Sequence, residues 1–212
     1  MEIKLKLCGM RRSEDIRYLN EFPPDHAGFI LTDGFRRSVD FGTFCGLVRE
    51  LDRGIGRVGV FVNEAAENVL KFCAEGLDAV QLHGDEDEEY ILRLKKMIPK
   101  ECEIWKAVRV KSIEDIEKWN SSAADKLLLD AFSHGAVGGT GKTADWGVIT
   151  AARIEKPFFA AGGIDTENFI QAANVLKPYG IDLSGGIEIE GVKDRDKIRE
   201  IVRLKKLLAE TG

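Results

Sequence analysis

Short apolar runs alternate with amphipathic segments along the whole chain. The first run, Ile3–Leu7, alternates apolar residues with lysines at a period of two, which predicts a β-strand ending at Cys8. Gly9 follows and permits a sharp turn. The next segment, Ser13–Phe22, places apolar residues at helical spacing among charges and is followed by two prolines, which predicts a short amphipathic helix.

The same strand and helix alternation continues to the end of the sequence. The other predicted strands are Ala27–Leu31, Val58–Val62, Ala79–His83, Glu103–Val110, Lys126–Asp130, Pro157–Ala161 and Gly180–Ser184. The other predicted helices are Phe41–Leu51, Glu64–Ala74, Glu86–Met97, Ile113–Trp119, Trp146–Arg153, Glu167–Leu176 and Asp194–Leu208. Strict alternation favours parallel strands, and a count of eight favours closure into a (β/α)8 TIM barrel of the α/β class. An open doubly wound sheet is the alternative.

Composition narrows the class of protein. The 212 residues are long enough for one large core, and no linker or low-complexity tract divides them, so a single domain over residues 1–212 is expected. A net charge of -5 disfavours nucleic acid as a partner. No apolar run approaches ~18 residues and no export signal is evident, so no membrane association is expected.

The four cysteines have no spacing typical of a disulfide framework or a zinc site. They stand at positions 8, 45, 73 and 102, without a CxxC pair or a histidine cluster. Reduced thiols in a cytoplasmic protein without a metal fit this pattern. The oligomeric state stays open between a monomer and a homodimer.

Polar residues and glycines stand at the ends of the predicted strands. The loops after the strands build the active site of a barrel, so these positions are the candidate site. Glycines after strands 7 and 8 suit the phosphate site that barrels commonly make there, because backbone N–H groups can then approach an anion closely. The residues concerned are Gly162, Gly163, Ser184, Gly185 and Gly186, and the other polar strand ends are Cys8, Asn63, His83, Arg109, Asp130 and Asp182.

The segment Gly138–Thr143 carries Gly-Lys-Thr, which is found in nucleoside triphosphatases. The P-loop motif needs a glycine at position 136, where this chain has Ala136, and the predicted strand 6 ends several residues earlier. A loop that covers the substrate and offers backbone N–H groups to an anion is the preferred interpretation.

Cys8 and Asp130 suit acid and base chemistry. Three leucines precede Asp130, so its carboxyl should be desolvated and favour the protonated form of a general acid. Cys8 must lose its proton to act, and Lys6 lies two residues away on the same strand face. An ammonium there would stabilise the thiolate. The alternative is a cysteine that is a small buried apolar residue with no chemical role.

Six motifs, taken in order, closely resemble the phosphoribosylanthranilate isomerases of tryptophan biosynthesis. They are Lys6–Met10, Val60–Asn63, Gln81–Gly84, Leu128–Asp130, Gly138–Thr143 and Asp182–Glu188. The resemblance spans essentially the whole chain. It implies an intramolecular oxidoreductase that converts N-(5-phosphoribosyl)anthranilate into 1-(2-carboxyphenylamino)-1-deoxyribulose 5-phosphate by an Amadori rearrangement, with no cofactor and no metal.

The resemblance also implies roles for individual residues. Asp130 matches the general acid that protonates the ring oxygen, and Cys8 matches the general base that removes the C2 proton. Arg37 matches the arginine that holds the anthranilate carboxylate, and Asp182 matches a contact near the anthranilate amine. His83 either shapes the substrate site or packs. The phosphate loops are matched by Gly141, Gly163 and Gly186.

Two other functions are possible for a barrel of this kind. A metal-dependent sugar-phosphate epimerase needs paired ligands at strand ends, but His26 begins strand 2 at the opposite mouth and His134 lies in a loop. A phosphate-binding sensor barrel would keep the glycines, yet it has no need for a strand-end thiol and an apolar-flanked carboxyl. Turnover of the substrate separates enzyme from sensor.

Overall fold

Eight parallel strands close into a barrel in which each strand is followed by a helix. The computed structural model describes residues 3–131 and 146–211. The strands are β1 (Lys4–Cys8), β2 (His26–Ile30), β3 (Gly56–Phe61), β4 (Ala79–Leu82), β5 (Glu103–Arg109), β6 (Lys126–Asp130), β7 (Phe158–Ala161) and β8 (Gly180–Leu183). They pair in sequence order, and β8 pairs with β1 to close the ring. The predicted TIM barrel is confirmed.

The helices follow the predicted order with shifted ends. They are α1 (Ser13–Glu21), α2 (Phe41–Glu50), α3 (Ala66–Cys73), α4 (Glu88–Lys95), α5 (Ile113–Glu117), α6 (Gly147–Ala151), α7 (Phe169–Leu176) and α8 (Arg195–Thr211). The N-cap carboxylates of Asp40 and Asp87 accept hydrogen bonds from Thr43 N and Tyr90 N and start α2 and α4. The last helix extends beyond the predicted end at Leu208.

A hairpin that the sequence pattern did not predict lies between β8 and α8. Its strands are β9 (Glu188–Ile189) and β10 (Val192–Lys193), which pair antiparallel. The two-residue loop has φ of 50° at Glu190 and 78° at Gly191, as a type I′ turn requires. Each strand has only two residues, which is too short for a period-two pattern to show.

Alternate strand residues face two different cores. Leu5 and Phe29 are fully buried in the large layer between strands and helices. A second, smaller cluster fills the barrel interior, where the rings of Trp105 and Phe159 stack with centroids 4.6 Å apart. His26 meets the edge of this stack at 5.2 Å from Trp105. The amino-terminal half of the barrel is therefore packed, and the open space lies at the carboxyl ends of the strands.

Candidate active site

A cavity of about 680 Å³ lies at the carboxyl ends of the strands. Eleven residues that the sequence predicted for the site line it together, although they come from distant parts of the chain: Cys8, Arg37, His83, Arg109, Asp130, Gly162, Gly163, Asp182, Ser184, Gly185 and Gly186. Asn63, the other predicted strand-end residue, does not line it. Gly141 and the rest of the Gly138–Thr143 segment lie outside the described residues. The register of the barrel brings the eleven together.

The Cys8 thiol has space because of the glycine on the next strand. Cys8 pairs with Gly28 in the parallel register of β1 and β2. A Cβ on Gly28 would lie only 2.7 Å from the Cys8 Sγ. Gly9 then turns the chain with φ of +84° and donates its N–H to the Gly28 carbonyl at 2.9 Å. These two glycines place a nearly buried thiol, 6% exposed, at the cavity wall.

Lys6 lies one layer below Cys8 and forms a buried ion pair. Its Nζ donates to Asp182 Oδ1 on β8 at 2.8 Å, and its side chain has no exposed surface. Burial alone would lower the pKa of the Lys6 ammonium, but Asp182 and Cys8 raise it above its ordinary value. Lys6 is therefore a permanent cation inside the barrel, as the strand periodicity predicted.

Lys6 is one of several groups that set the pKa of the Cys8 thiol. Burial raises the pKa of the Cys8 thiol above its ordinary value, Lys6 lowers it, Asp182 raises it and Lys193 lowers it. Lys6 acts in the predicted direction, and the net rise in the Cys8 pKa comes from burial and from Asp182. The sequence interpretation counted one ammonium and left out both the burial and the carboxylate of Asp182.

Asp130 ends β6 after three buried leucines, and its own side chain is half-buried at the cavity. Its register partners are Arg109 on β5 and Ala161 on β7. The small Ala161 side chain leaves the neighbouring wall open. A carboxyl at this edge, with an apolar strand behind it, can donate a proton to a substrate in the cavity.

His83 is held by Gln81 on the same strand face. The Gln81 side-chain amide lies 2.9 Å from His83 Nδ1, and the tautomer of the ring sets which of the two groups donates. Burial lowers the pKa of His83 below its ordinary value, with an opposing contribution from Asp130. His83 is thus a neutral imidazole at the cavity wall, which favours a role in shaping the site over simple packing.

Arg37 lies in the loop after β2 and is held by the unpredicted hairpin. Its Nε donates to Glu188 Oε1 and its Nη2 to Glu188 Oε2, both at 2.6 Å. Lys193 also donates to Glu188 Oε1, at 2.9 Å. Although burial alone would raise the pKa of Glu188, the hydrogen bonds from Arg37 and Lys193 lower it to about 2. Arg36 reaches Glu188 at 2.9 Å from the solvent side.

Sequence reasoning missed the roles of Glu188 and Lys193. Glu188 was part of a recognised motif but received no role, and nothing in the pattern indicated Lys193. The Lys193 Nζ also donates to the Ser184 carbonyl at 2.9 Å, and the Ser184 hydroxyl donates to the Cys8 carbonyl at 3.2 Å. The hairpin therefore connects the Arg37 loop to the backbone beside Cys8. The Glu190–Gly191 pair was the available signal for its turn.

The loops after β7 and β8 approach each other through their glycines. Gly162 and Gly163 have φ of 87° and 67°, a backbone region that residues other than glycine rarely adopt. A Cβ on Gly186 would lie 2.0 Å from the Ile164 carbonyl oxygen, so only glycine permits this contact. These loops line the cavity edge, where the sequence predicted a phosphate site.

Among residues 3–131 and 146–211, no three His, Cys, Asp or Glu side chains come together as a possible metal site. In the same part of the chain, no helix combines the length and the apolar character needed to cross a membrane.

Comparisons with known proteins agree on one family. Residues 5–204 match the family model described as N-(5'phosphoribosyl)anthranilate (PRA) isomerase. The N-(5'-phosphoribosyl)anthranilate isomerase of Endomicrobium trichonymphae is 44% identical over 208 residues, covering 97% of this chain and 99% of that protein. The phosphoribosyl anthranilate isomerase of Thermotoga maritima superposes with a TM-score of 0.84 at 32% identity, covering 96% of this chain and 98% of that one.

A further solved phosphoribosyl anthranilate isomerase was crystallised in complex with reduced 1-(o-carboxyphenylamino)-1-deoxyribulose 5-phosphate. It superposes with a TM-score of 0.80 at 30% identity, covering 96% of this chain and 98% of that one. The family model, the relatives and the barrel agree over nearly the whole sequence. This chain belongs to the phosphoribosylanthranilate isomerase family.

Proposed function

We propose that residues 1–212 form one barrel domain that rearranges N-(5-phosphoribosyl)anthranilate to 1-(2-carboxyphenylamino)-1-deoxyribulose 5-phosphate, with Asp130 as general acid and Cys8 as general base. The observation that carries these two roles is that the strand-end thiol and the strand-end carboxyl line one cavity. A sensor barrel has no use for this pair. The relative with a bound reduced product supports the same substrate class for this chain.

The reaction begins at the ring oxygen of the sugar. Asp130 donates a proton to that oxygen, the bond from C1 to the ring oxygen breaks, and the nitrogen lone pair forms the C=N bond of a Schiff base. Cys8 then removes the proton from C2, and the electron pair moves into a C1=C2 double bond to give an enolamine. Proton uptake at C1 and loss of the C2 hydroxyl proton give the ketone. Since hydrogen moves within one molecule, no external oxidant or reductant takes part.

The raised pKa of Cys8 has two opposing effects on the second step. A smaller fraction of the enzyme carries the thiolate at neutral pH, but the thiolate that forms is a stronger base. Lys6 and Lys193 limit the rise in the pKa and keep the thiolate accessible. The same thiol returns its proton without a change of oxidation state.

Binding is assigned to residues around the reacting carbons. Arg37 faces the anthranilate carboxylate, Asp182 the region of the anthranilate nitrogen, and His83 lines the substrate cavity as a neutral imidazole. Phosphate is assigned to backbone N–H groups of the loops after β7 and β8. These loops are represented by Gly162, Gly163, Ser184, Gly185 and Gly186, and Gly141 is the proposed contribution of the loop after β6.

The partners and location follow from the same chemistry. The proposed substrate is a small phosphosugar with an anthranilate group. The net charge of -5 argues against nucleic acid as a partner. All four cysteines are free, which supports a reducing, cytoplasmic compartment. Either a monomer or a homodimer leaves this site intact, because every proposed residue belongs to one chain.

Turnover of phosphoribosylanthranilate, followed by loss of its fluorescence, tests the proposal. The wild-type protein should convert the substrate, while Cys8→Ser and Asp130→Asn should each lower kcat by roughly 10²- to 10⁴-fold, the range for a lost general acid or base. Cys45→Ser is the matched control because Cys45 lies on α2, away from the cavity. Binding without turnover by the wild-type protein would instead establish a sensor.

A further inference from the structure

One carboxylate on the hairpin receives three cationic side chains. The Glu188 side chain is only 6% exposed and is bonded by Arg36, Arg37 and Lys193. Two of the three bonds are made by groups that are themselves mostly or nearly fully buried. Three positive charges against one negative charge leave an excess of two positive charges, and of these groups Arg37 lines the cavity.

The bond to Glu188 uses one particular edge of the Arg37 guanidinium. Nε and Nη2 each donate to a separate carboxylate oxygen at 2.6 Å, so the plane of the group is fixed. A guanidinium has five N–H groups, and the outer edge formed by Nη1 and the second Nη2 hydrogen is not part of this contact. Toward the described residues, Nη1 makes no hydrogen bond. Nη2 lies 3.9 Å from where a Cβ on Gly185 would stand, which places this end of Arg37 at the cavity wall.

We propose that Glu188 is a positioning residue that fixes the guanidinium of Arg37, so that its outer edge receives the carboxylate of the substrate's aromatic ring. The inference rests on the proposed function for the identity of that carboxylate. Without Glu188, Arg37 would sample several rotamers, and binding would then include the entropic cost of ordering its side chain. Glu188 therefore selects substrates with a carboxylate at this place over otherwise identical substrates without one.

The close packing of the Arg37 loop supports a fixed guanidinium. A Cβ on Gly9 would lie 2.6 Å from the Arg37 Cδ, so the loop after β1 contacts the arginine stem directly. The same Cβ would lie 3.5 Å from the Lys193 Nζ. Arg37 is consequently held along its stem by Gly9 and at its head by Glu188.

A comparison of two ligands separates positioning from simple structural support. One ligand is the reduced product, 1-(2-carboxyphenylamino)-1-deoxyribulose 5-phosphate after reduction, and the other is the same molecule with an unsubstituted phenyl ring. Glu188→Gln should weaken binding of the carboxylated ligand about tenfold, as expected for a disordered charge-assisted contact, and should change the phenyl ligand less than about twofold. Calorimetry measures both affinities. In the turnover assay of Glu188→Gln, KM should rise by a larger factor than kcat falls.

Two further variants keep the test decisive. Arg36→Ala removes the exposed partner of the same carboxylate, 60% exposed, and should leave both affinities within about twofold. Arg37→Lys keeps the positive charge but lacks the planar outer edge, so it should reproduce the selective loss even if Glu188→Gln does not fold.

Equal losses for both ligands in Glu188→Gln would overturn the inference, because they would show structural support only. A wild-type protein that does not prefer the carboxylated ligand would also overturn it. A wild-type protein that prefers that ligand yet fails to turn over substrate would contradict the proposed reaction and leave the role of Glu188 standing.

Discussion

At the scale of single residues, the proposed acid–base chemistry depends on what surrounds Cys8. The sequence identified Lys6 as a neighbour on the same strand face, and the ion pair from Lys6 to Asp182 confirms that it points inward. The net direction of the Cys8 pKa could not be predicted from the strand, since it also depends on burial, Asp182 and Lys193. Those groups come from β8 and β10, far away in sequence.

Lys6→Met tests the electrostatic role of Lys6. Removing the ammonium should raise the pKa of Cys8 further, because the largest opposing charge is lost while burial remains. The rate of Cys8 alkylation against pH, measured in a Cys45→Ser background, gives this pKa. Lys4→Met is the matched control on the same face of β1, where Lys4 pairs with Asp25 instead. An alkylation profile that stays in place would refute the role of Lys6.

At the scale of elements, the hairpin β9–β10 connects two parts of the site. It carries Glu188, which holds Arg37, and Lys193, which holds the Ser184 carbonyl. Its turn requires positive φ at Glu190 and Gly191, and only the second is a glycine. An exposed glutamate in the left-handed region is strained, so the hairpin is not at its most stable sequence.

Two turn substitutions should have opposite effects on stability. Glu190→Asn should raise the free energy of unfolding by roughly 0.5–1 kcal/mol, because asparagine tolerates positive φ better. Gly191→Ala should lower it by about 1 kcal/mol or more, since an added Cβ is strained at φ of 78° and would lie 2.5 Å from the Arg36 Nη1. Urea unfolding measures both changes. Changes of the same sign would argue against the turn geometry.

At the scale of the whole molecule, the barrel separates a packed amino-terminal half from the half that contains the candidate active site. His26 lies at the amino-terminal mouth, against Trp105 and Phe159. Burial lowers the pKa of His26 to about 4, with an opposing contribution from Asp25. Among the described residues its buried Nδ1 has no hydrogen-bond partner, so this histidine belongs to the core and not to the site.

The stability of the barrel should therefore fall in mild acid. Folded His26 has a pKa of about 4, below its ordinary 6.5, so its contribution is fully present above pH 6.5 and is lost as pH falls toward 4. The loss between pH 7 and pH 5 should be about 2 kcal/mol. Glu188, with a pKa of about 2, adds a separate loss only below its ordinary 4.5.

Urea unfolding of wild type and His26→Gln at both pH values measures this effect. The variant should lose less stability than wild type between pH 7 and pH 5, because groups other than His26 titrate equally in both proteins. If the two proteins lost the same free energy over this interval, His26 would not be the titrating group.

The sequence by itself determined the architecture and the shared position of the proposed acid and base. Alternation of strands and helices is a local property, and eight repeats can bury their apolar faces by closing a ring. Once the strands are parallel, every strand end lies at one mouth, so Cys8 and Asp130 had to share it. The common position of the strand ends follows from the strand direction alone and does not depend on side-chain contacts.

The tertiary structure alone decided the electrostatics and the orientation of the binding groups. The net pKa direction of Cys8, the edge of Arg37 that Glu188 binds and the neutral state of His26 each depend on groups from separate elements. Burial and Coulomb interactions act through space, and they change steeply over a few ångströms. Spacing along the sequence does not specify these distances, which are set by the closed barrel.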